Sequence, residues 1–196
     1  MLKLLVKLID ETVVFPYRFN FLTNILSPYL KGSKLVLDVG ASEGRLASSI
    51  KNRTNIDFIG VDTLVQPNGP LLVKKYNGKK LPFKDNSFDC VMLIDVLHHT
   101  KNPLSLIREA KRVTKKFIVI KDHYWNNSYD FTMLKMADWF GNSPYGVNLP
   151  YNYLNMHTWK AIFKEVHLSV VKSEGFSYGW FDQCKHIIFK LEKKSN

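Results

Sequence analysis

Apolar residues follow two rhythms along the 196-residue chain. Near the start, Leu2, Leu5, Val6, Ile9 and Val13 recur every three or four positions with charges between them, the spacing of an amphipathic helix. Residues 19–30 continue in that period until Gly32-Ser33 breaks it. After that, short apolar runs alternate with helical stretches. Segments 35–39, 58–61, 71–75, 88–94, 117–120, 167–172 and 186–191 read as strands. Segments 43–51, 103–113, 131–140 and 158–166 read as helices. LVLDV and FDCVMLI are continuous apolar runs, as strands covered on both faces are. Pro103 suits a first helical turn, where its missing N–H is not needed. The alternation predicts an α/β fold: a doubly wound, Rossmann-like, mostly parallel sheet of about seven strands, the last antiparallel, with helices on both faces. From Asp62 to Leu71 the connection is short for a crossover, so a helix is expected to be missing or reduced there.

The stretch VLDVGASEG, residues 36–44, carries the first chemistry. It is a strand running into a glycine-bearing loop and on into a helix. In a doubly wound sheet, ligands bind beyond the carboxyl ends of the strands, at the switch point. Gly40 and Gly44 let a ligand approach the backbone closely. The dinucleotide fingerprint fails, because its second and third glycines fall on Ser42 and Arg45. A phosphate loop fails too, for want of Gly-Lys-Ser/Thr. Asp38 and Glu43 would repel a phosphate but favour a ligand carrying an ammonium and a sulfonium. Asp62, at the end of the second strand and 22 residues beyond Gly40, can accept both hydroxyls of a ribose.

Together these motifs resemble the class I S-adenosylmethionine-dependent methyltransferases. VLDVGASEG is similar to that family's first motif, with Ser42 at its middle glycine; FIGVD is similar to its second. LPFKDNSFDCVMLIDVLHHTKNP is similar to the stretch around its fourth strand. The resemblance covers roughly residues 34–122 and implies S-adenosyl-L-methionine as cofactor. On it, Asp38 orients the methionine part, Gly40, Ser42 and Gly44 lie against the cofactor, and Asp62 holds the ribose hydroxyls. Asn77, beside Gly78, sits where many members carry an aspartate for the adenine amine. Ile94 and Asp95 border the methionine end. The second half, from IKDHYWNN through MADWFGNSPYGVNLPYNY, resembles a methyltransferase type 11-like group of short bacterial chains. The expected organisation is one domain, 1–196: an N-terminal helical cap (1–33), a cofactor-binding half (34–122) and an acceptor-side half (123–196).

A sulfonium methyl is already activated, so the main task is holding a nucleophile in line behind it, worth roughly 7–11 kcal/mol. A general base adds about 10²–10⁴-fold where the acceptor must lose a proton. His98 and His99 after the fourth strand, and His123 after the fifth, are the candidate catalytic residues. Asp122 adjoins His123, but neighbours on an extended strand point opposite ways, so no Asp122–His123 dyad is expected. Asp122, Tyr151, Asn152 and Tyr153 are candidate substrate contacts, the last three in an aromatic segment (136–153) placed to cover the acceptor. His98, His99 and His123 lack a recognisable ligand spacing, so no metal site is expected.

The net charge of +11 is spread over lysine pairs, which reads as a solvated basic surface and suits an anionic acceptor or contact with a membrane surface. Adenine-amine methyltransferases place a proline-proline motif after the fourth strand, where this chain has IDVL, and Cys90 lies within the strand rather than in a nucleophile loop. Nucleic acid is therefore a disfavoured acceptor. The reading is direct methyl transfer to a small molecule. RNA or protein methylation and a non-catalytic cofactor-binding module are the alternatives. Two cysteines without a CxxC pair suggest a reducing, cytoplasmic setting. No segment reaches membrane-spanning length and no cleavage site follows the N-terminal apolar residues. Neither the oligomeric state nor the atom methylated is legible.

Overall fold

A computed structural model describes residues 15–66, 68–142 and 146–194. The expected helix over residues 2–13 lies outside the described residues. The first described helix is α1 (Phe15–Leu26), continued by a 3-10 turn (Ser27–Leu30). Then come β1 (Leu35–Val39), α2 (Arg45–Lys51), β2 (Asp57–Asp62), β3 (Val73–Lys75) and β4 (Phe88–Ile94). A second 3-10 turn (Leu97–His99) leads to α3 (Pro103–Val113), β5 (Thr114–His123), α4 (Ser128–Asn142), α5 (Met156–Glu165), β6 (Leu168–Phe176) and β7 (His186–Lys193).

The strands form one seven-stranded sheet in the order β3-β2-β1-β4-β5-β7-β6. Pairings from β3 to β5 are parallel, and β7 runs antiparallel to both β5 and β6. Chain order reverses between β1 and β4, so the loops leaving those two strands open the switch-point crevice.

Strand residues alternate between two cores although nearly all are buried. Leu37, Val39, Val91, Leu93, Ile118 and Ile120 face α3 and α5, where Leu106, Ile107, Trp159 and Phe163 meet them. Val36, Cys90, Met92 and Val119 face α1 and α2, against Leu22, Leu26, Ala47 and Ile50. The period of two survives inside continuous apolar runs because each face has its own helices to fill. β4 and α3 occupy their expected ranges. The second helix begins at Arg45 rather than at residue 43, because Gly44 before it is left-handed (φ +79). β5 extends well beyond residues 117–120, since β7 pairs with it as far as His123.

The connection from β2 to β3 contains no helix among the described residues. It presses against the glycine loop: a Cβ added at Gly69 would lie 1.9 Å from the Glu43 carbonyl oxygen, and one at Gly44 would lie 2.4 Å from Leu71 Cβ. Gly40, at φ +78, lies beneath Val96, and an added Cβ would come within 2.3 Å of Val96 Cγ2. Gly40→Ala combines left-handed strain with this overlap. We expect it to lower unfolding free energy by about 2 kcal/mol, read as a lower urea midpoint.

Candidate active site

β1 and β2 bring the first group of residues together. The carbonyl of Val61 accepts the amides of Gly40 (2.8 Å) and Ala41 (3.2 Å), which folds the loop back over the end of β2. Asp62 then accepts the Ser42 amide on Oδ2 (2.7 Å) and the Leu64 amide on Oδ1 (2.9 Å). Ser42 is itself left-handed, at φ +52. So the position where the fingerprint asks for glycine adopts the conformation glycine favours, with its amide aimed at Asp62.

Asp38 is buried and accepts no hydrogen bond among the described residues. Burial, and then the nearby Asp62 charge, push its carboxyl up to about 8. A buried acid without a partner is costly unless something is there to meet it. Tyr76 was not picked out in the sequence. Its amide donates to the Asp62 carbonyl (2.9 Å), and burial followed by the Asp62 charge raises its phenol to about 12. Asn77 turns its Oδ1 inward, accepting the amides of Lys79 (2.9 Å) and Lys80 (3.2 Å) across the Gly78 turn. The acceptor expected to meet an adenine amine is therefore committed to the backbone.

At the ends of β4 and β5 the groups are acids, histidines and one lysine. Lys121 is completely buried, with its ammonium 2.5 and 2.7 Å from the two oxygens of Asp95. Arg18 of α1 approaches Asp95 at 3.6 Å. Burial would push the Asp95 carboxyl up, but Lys121, His123 and Arg18 outweigh it and hold it well below the usual carboxylate range. Asp95, expected at the methionine end of the cofactor, is thus an ion-pair partner, while Ile94 remains part of β4 beside it.

Asp122 is also buried. Its oxygens accept the Leu97 amide (3.1 Å) and the His123 amide (2.7 Å) and meet His98 Nδ1 at 2.6 Å. Asp122, expected at the substrate, makes these contacts within the protein. The Asp–His pair of this site is Asp122–His98, drawn from two strands, and His123 Nδ1 stands off at 3.5 Å. His123 Nδ1 is buried without a hydrogen bond, 3.5 Å from Asp95 Oδ1.

The acceptor-side segment is strapped across these strands. Asn152 donates its amide to the His98 carbonyl (3.2 Å) and its Nδ2 to the Thr100 carbonyl (2.6 Å). His99 Nδ1 lies 3.1 Å from the Asn148 carbonyl. Tyr153 is buried, donating to Asp138 Oδ2 (2.6 Å) and stacked on His98. Asn152 and Tyr153, expected at the substrate, fasten the strap. Tyr151, at φ +55 and partly exposed, lies over Lys135. Asp138 itself was missed. Its signal was the stripe Asp130, Leu134, Asp138, which α4 buries with two acids on the inward face.

A family model described as a methyltransferase domain matches residues 37–117, from β1 into β5. Over those residues the chain is similar to the methyltransferase domain family. S-adenosylmethionine is the cofactor of this domain class, and the buried Asp38, without a hydrogen bond among the described residues, fits its ammonium end. The chain is 26% identical over 139 residues to an uncharacterized methyltransferase of Mycobacterium leprae, covering 65% of this chain and 50% of that one. It spans only 39–52% of the length of the curated relatives it matches. Its fold is that of the YcgJ protein of Bacillus subtilis (TM-score 0.69, 14% identity, 90% of this chain and 100% of that one). It is also that of 1,6-didemethyltoxoflavin-N1-methyltransferase of Burkholderia thailandensis, solved with bound 1,6-didemethyltoxoflavin and S-adenosylhomocysteine (TM-score 0.68, 13% identity, 90% and 78%). No helix among the described residues is long and apolar enough to cross a membrane.

Cofactor binding is expected to strengthen as pH rises toward about 8. Asp38 holds a proton below that value in the free protein, and holding a ligand ammonium there, the role proposed for it below, would require it ionised. Binding therefore releases a proton, and affinity gains up to about tenfold per pH unit below the free-state value. Titration calorimetry with S-adenosylhomocysteine in buffers of different ionisation enthalpy measures both the affinity and the proton release.

Proposed function

We propose that this chain transfers the methyl group of S-adenosylmethionine to a small-molecule acceptor by in-line displacement. The observation that carries the reading is Asp38, a buried acid without a hydrogen-bond partner among the described residues, beside the Asp62-anchored glycine loop. When bound, S-adenosylmethionine supplies an activated sulfonium methyl. Asp38 holds the ammonium end, and Asp62 exchanges its loop amides for ribose hydroxyls. A small acceptor is favoured because α4 and the strap at 146–154 close over the ends of β4 and β5, tied down at His98, His99 and Thr100. Arg18, a third exposed at that end, and the overall charge suit an anionic acceptor.

His123 is the proposed proton acceptor, with Nδ1 3.5 Å from Asp95 Oδ1. We expect His123→Gln to lower kcat by about 10²–10⁴-fold. Calorimetry should find cofactor affinity unchanged in the same variant.

Incubation of a cell extract with methyl-labelled cofactor tests the proposal. Label is expected in a low-molecular-mass fraction. Label in RNA or protein would contradict the small acceptor. Tight cofactor binding with no fraction labelled would contradict the enzyme reading.

A further inference from the structure

We infer that His98, His99 and Asp138 form a binding site for a divalent metal ion of the zinc class. The inference concerns a set of donors apart from the cofactor loop and does not depend on which acceptor is methylated. His98 Nε2 lies 3.9 Å and His99 Nε2 3.6 Å from Asp138 Oδ1, and the two rings stand 4.0 Å apart. The three donor atoms all lie within 4.8 Å of one another. Ligands about 2.0–2.2 Å from a tetrahedral metal are separated by about 3.4 Å, and both His–Asp separations stand within about half an ångström of that.

The surroundings are those of metal ligands. A ligating imidazole normally presents its other nitrogen to a carboxylate or a backbone carbonyl, which fixes its tautomer and aims the donor. Here His98 Nδ1 meets the Asp122 carboxylate at 2.6 Å, and His99 Nδ1 meets the Asn148 carbonyl at 3.1 Å. Both Nε2 atoms are thereby left to face Asp138. The carboxylate is oriented too: Tyr153 donates to Oδ2 (2.6 Å) and Asn142 to Oδ1 (2.6 Å). Each donor thus has an outer partner of the expected kind. Two imidazoles and a carboxylate suit zinc and its neighbours rather than magnesium or calcium.

A second group, Asp95, His98, Asp122 and His123, is equally close. It is a poorer cation site, since the Lys121 ammonium already occupies Asp95. In the chosen set, His98 and His99 come from the turn after β4 and Asp138 from α4. A metal held there ties the acceptor cover to the strand end. Three protein donors leave a fourth position for water or an acceptor oxygen.

The test uses the full chain, stripped with a chelator and titrated with Co²⁺ as a spectroscopic probe and with Zn²⁺ by calorimetry. One metal per chain is expected, with the visible d–d bands of a low-symmetry Co²⁺ site that Zn²⁺ displaces. His99→Ala, at a partly exposed position, and the near-isosteric Asp138→Asn should each weaken binding by more than about 100-fold. Asp122→Asn, which alters only an outer partner, should weaken it by about 10–100-fold. Circular dichroism establishes that each variant is folded. No d–d bands in the wild type, or equal affinity in folded His99→Ala and Asp138→Asn, would overturn the assignment and leave an ordinary histidine–carboxylate ion pair.

Discussion

Asp62→Ala is expected to weaken S-adenosylhomocysteine binding by about 100-fold or more. Two hydrogen bonds from ribose hydroxyls to a carboxylate are worth roughly 1.5–3 kcal/mol each. The lower end applies because the Asp62 hydrogen bonds lie in an exposed setting. The substitution acts a second time through the free protein. Asp62 holds the amides of Ser42 and Leu64, so its loss also releases the glycine loop and the connection that lies over it. Titration calorimetry reads the effect directly, and an affinity left unchanged by the substitution contradicts the assignment of Asp62. Asn77→Ala should change affinity far less. Its acceptor oxygen serves the 78–80 turn, and the variant is expected to loosen that turn first.

The second large effect concerns stability. Asp95→Ala leaves the Lys121 ammonium buried without its carboxylate, and breaking such a pair typically costs 3–5 kcal/mol. For a chain of this length that corresponds to a fall in Tm of roughly 10 °C. The rings of Phe176 and Tyr178, 5.7 and 5.6 Å from the ammonium, soften the loss but cannot replace a carboxylate. The double variant Asp95→Ala with Lys121→Met should recover most of it, because an apolar residue of similar size leaves no buried charge. Thermal melts of the two single variants and the double variant give the coupling. Additive losses would show that the pair is not the main term.

Where burial followed apolar pattern, the fold was legible. FDCVMLI and the segment opened by Pro103 gave their elements without adjustment, since nothing in them competes with the signal. β5 was under-read because Lys121 and Asp122 look like a strand end, whereas both are buried and paired inside it. A charge in a strand flanked by apolar neighbours signals a buried partner, and that partner, Asp95, lies on the loop after the adjacent strand. The same limit governed the site. Asp38, Gly40 and Asp62 are linked by a local motif and by one strand pairing, so sequence spacing carries them. The pairing of Asp122 with His98, and of both histidines with Asp138, depends on how α4 lies over the sheet. Spacing along the chain holds no trace of that. Only the acids on the inward stripe of α4 hint at it.

A crystal structure with S-adenosylhomocysteine bound tests the central claim most directly. It should show the ribose hydroxyls on Asp62 in place of the Ser42 and Leu64 amides, the ammonium beside Asp38, and the sulfur turned toward His123. Ligand bound away from Asp38 and Asp62, with their present contacts unchanged, would contradict the account.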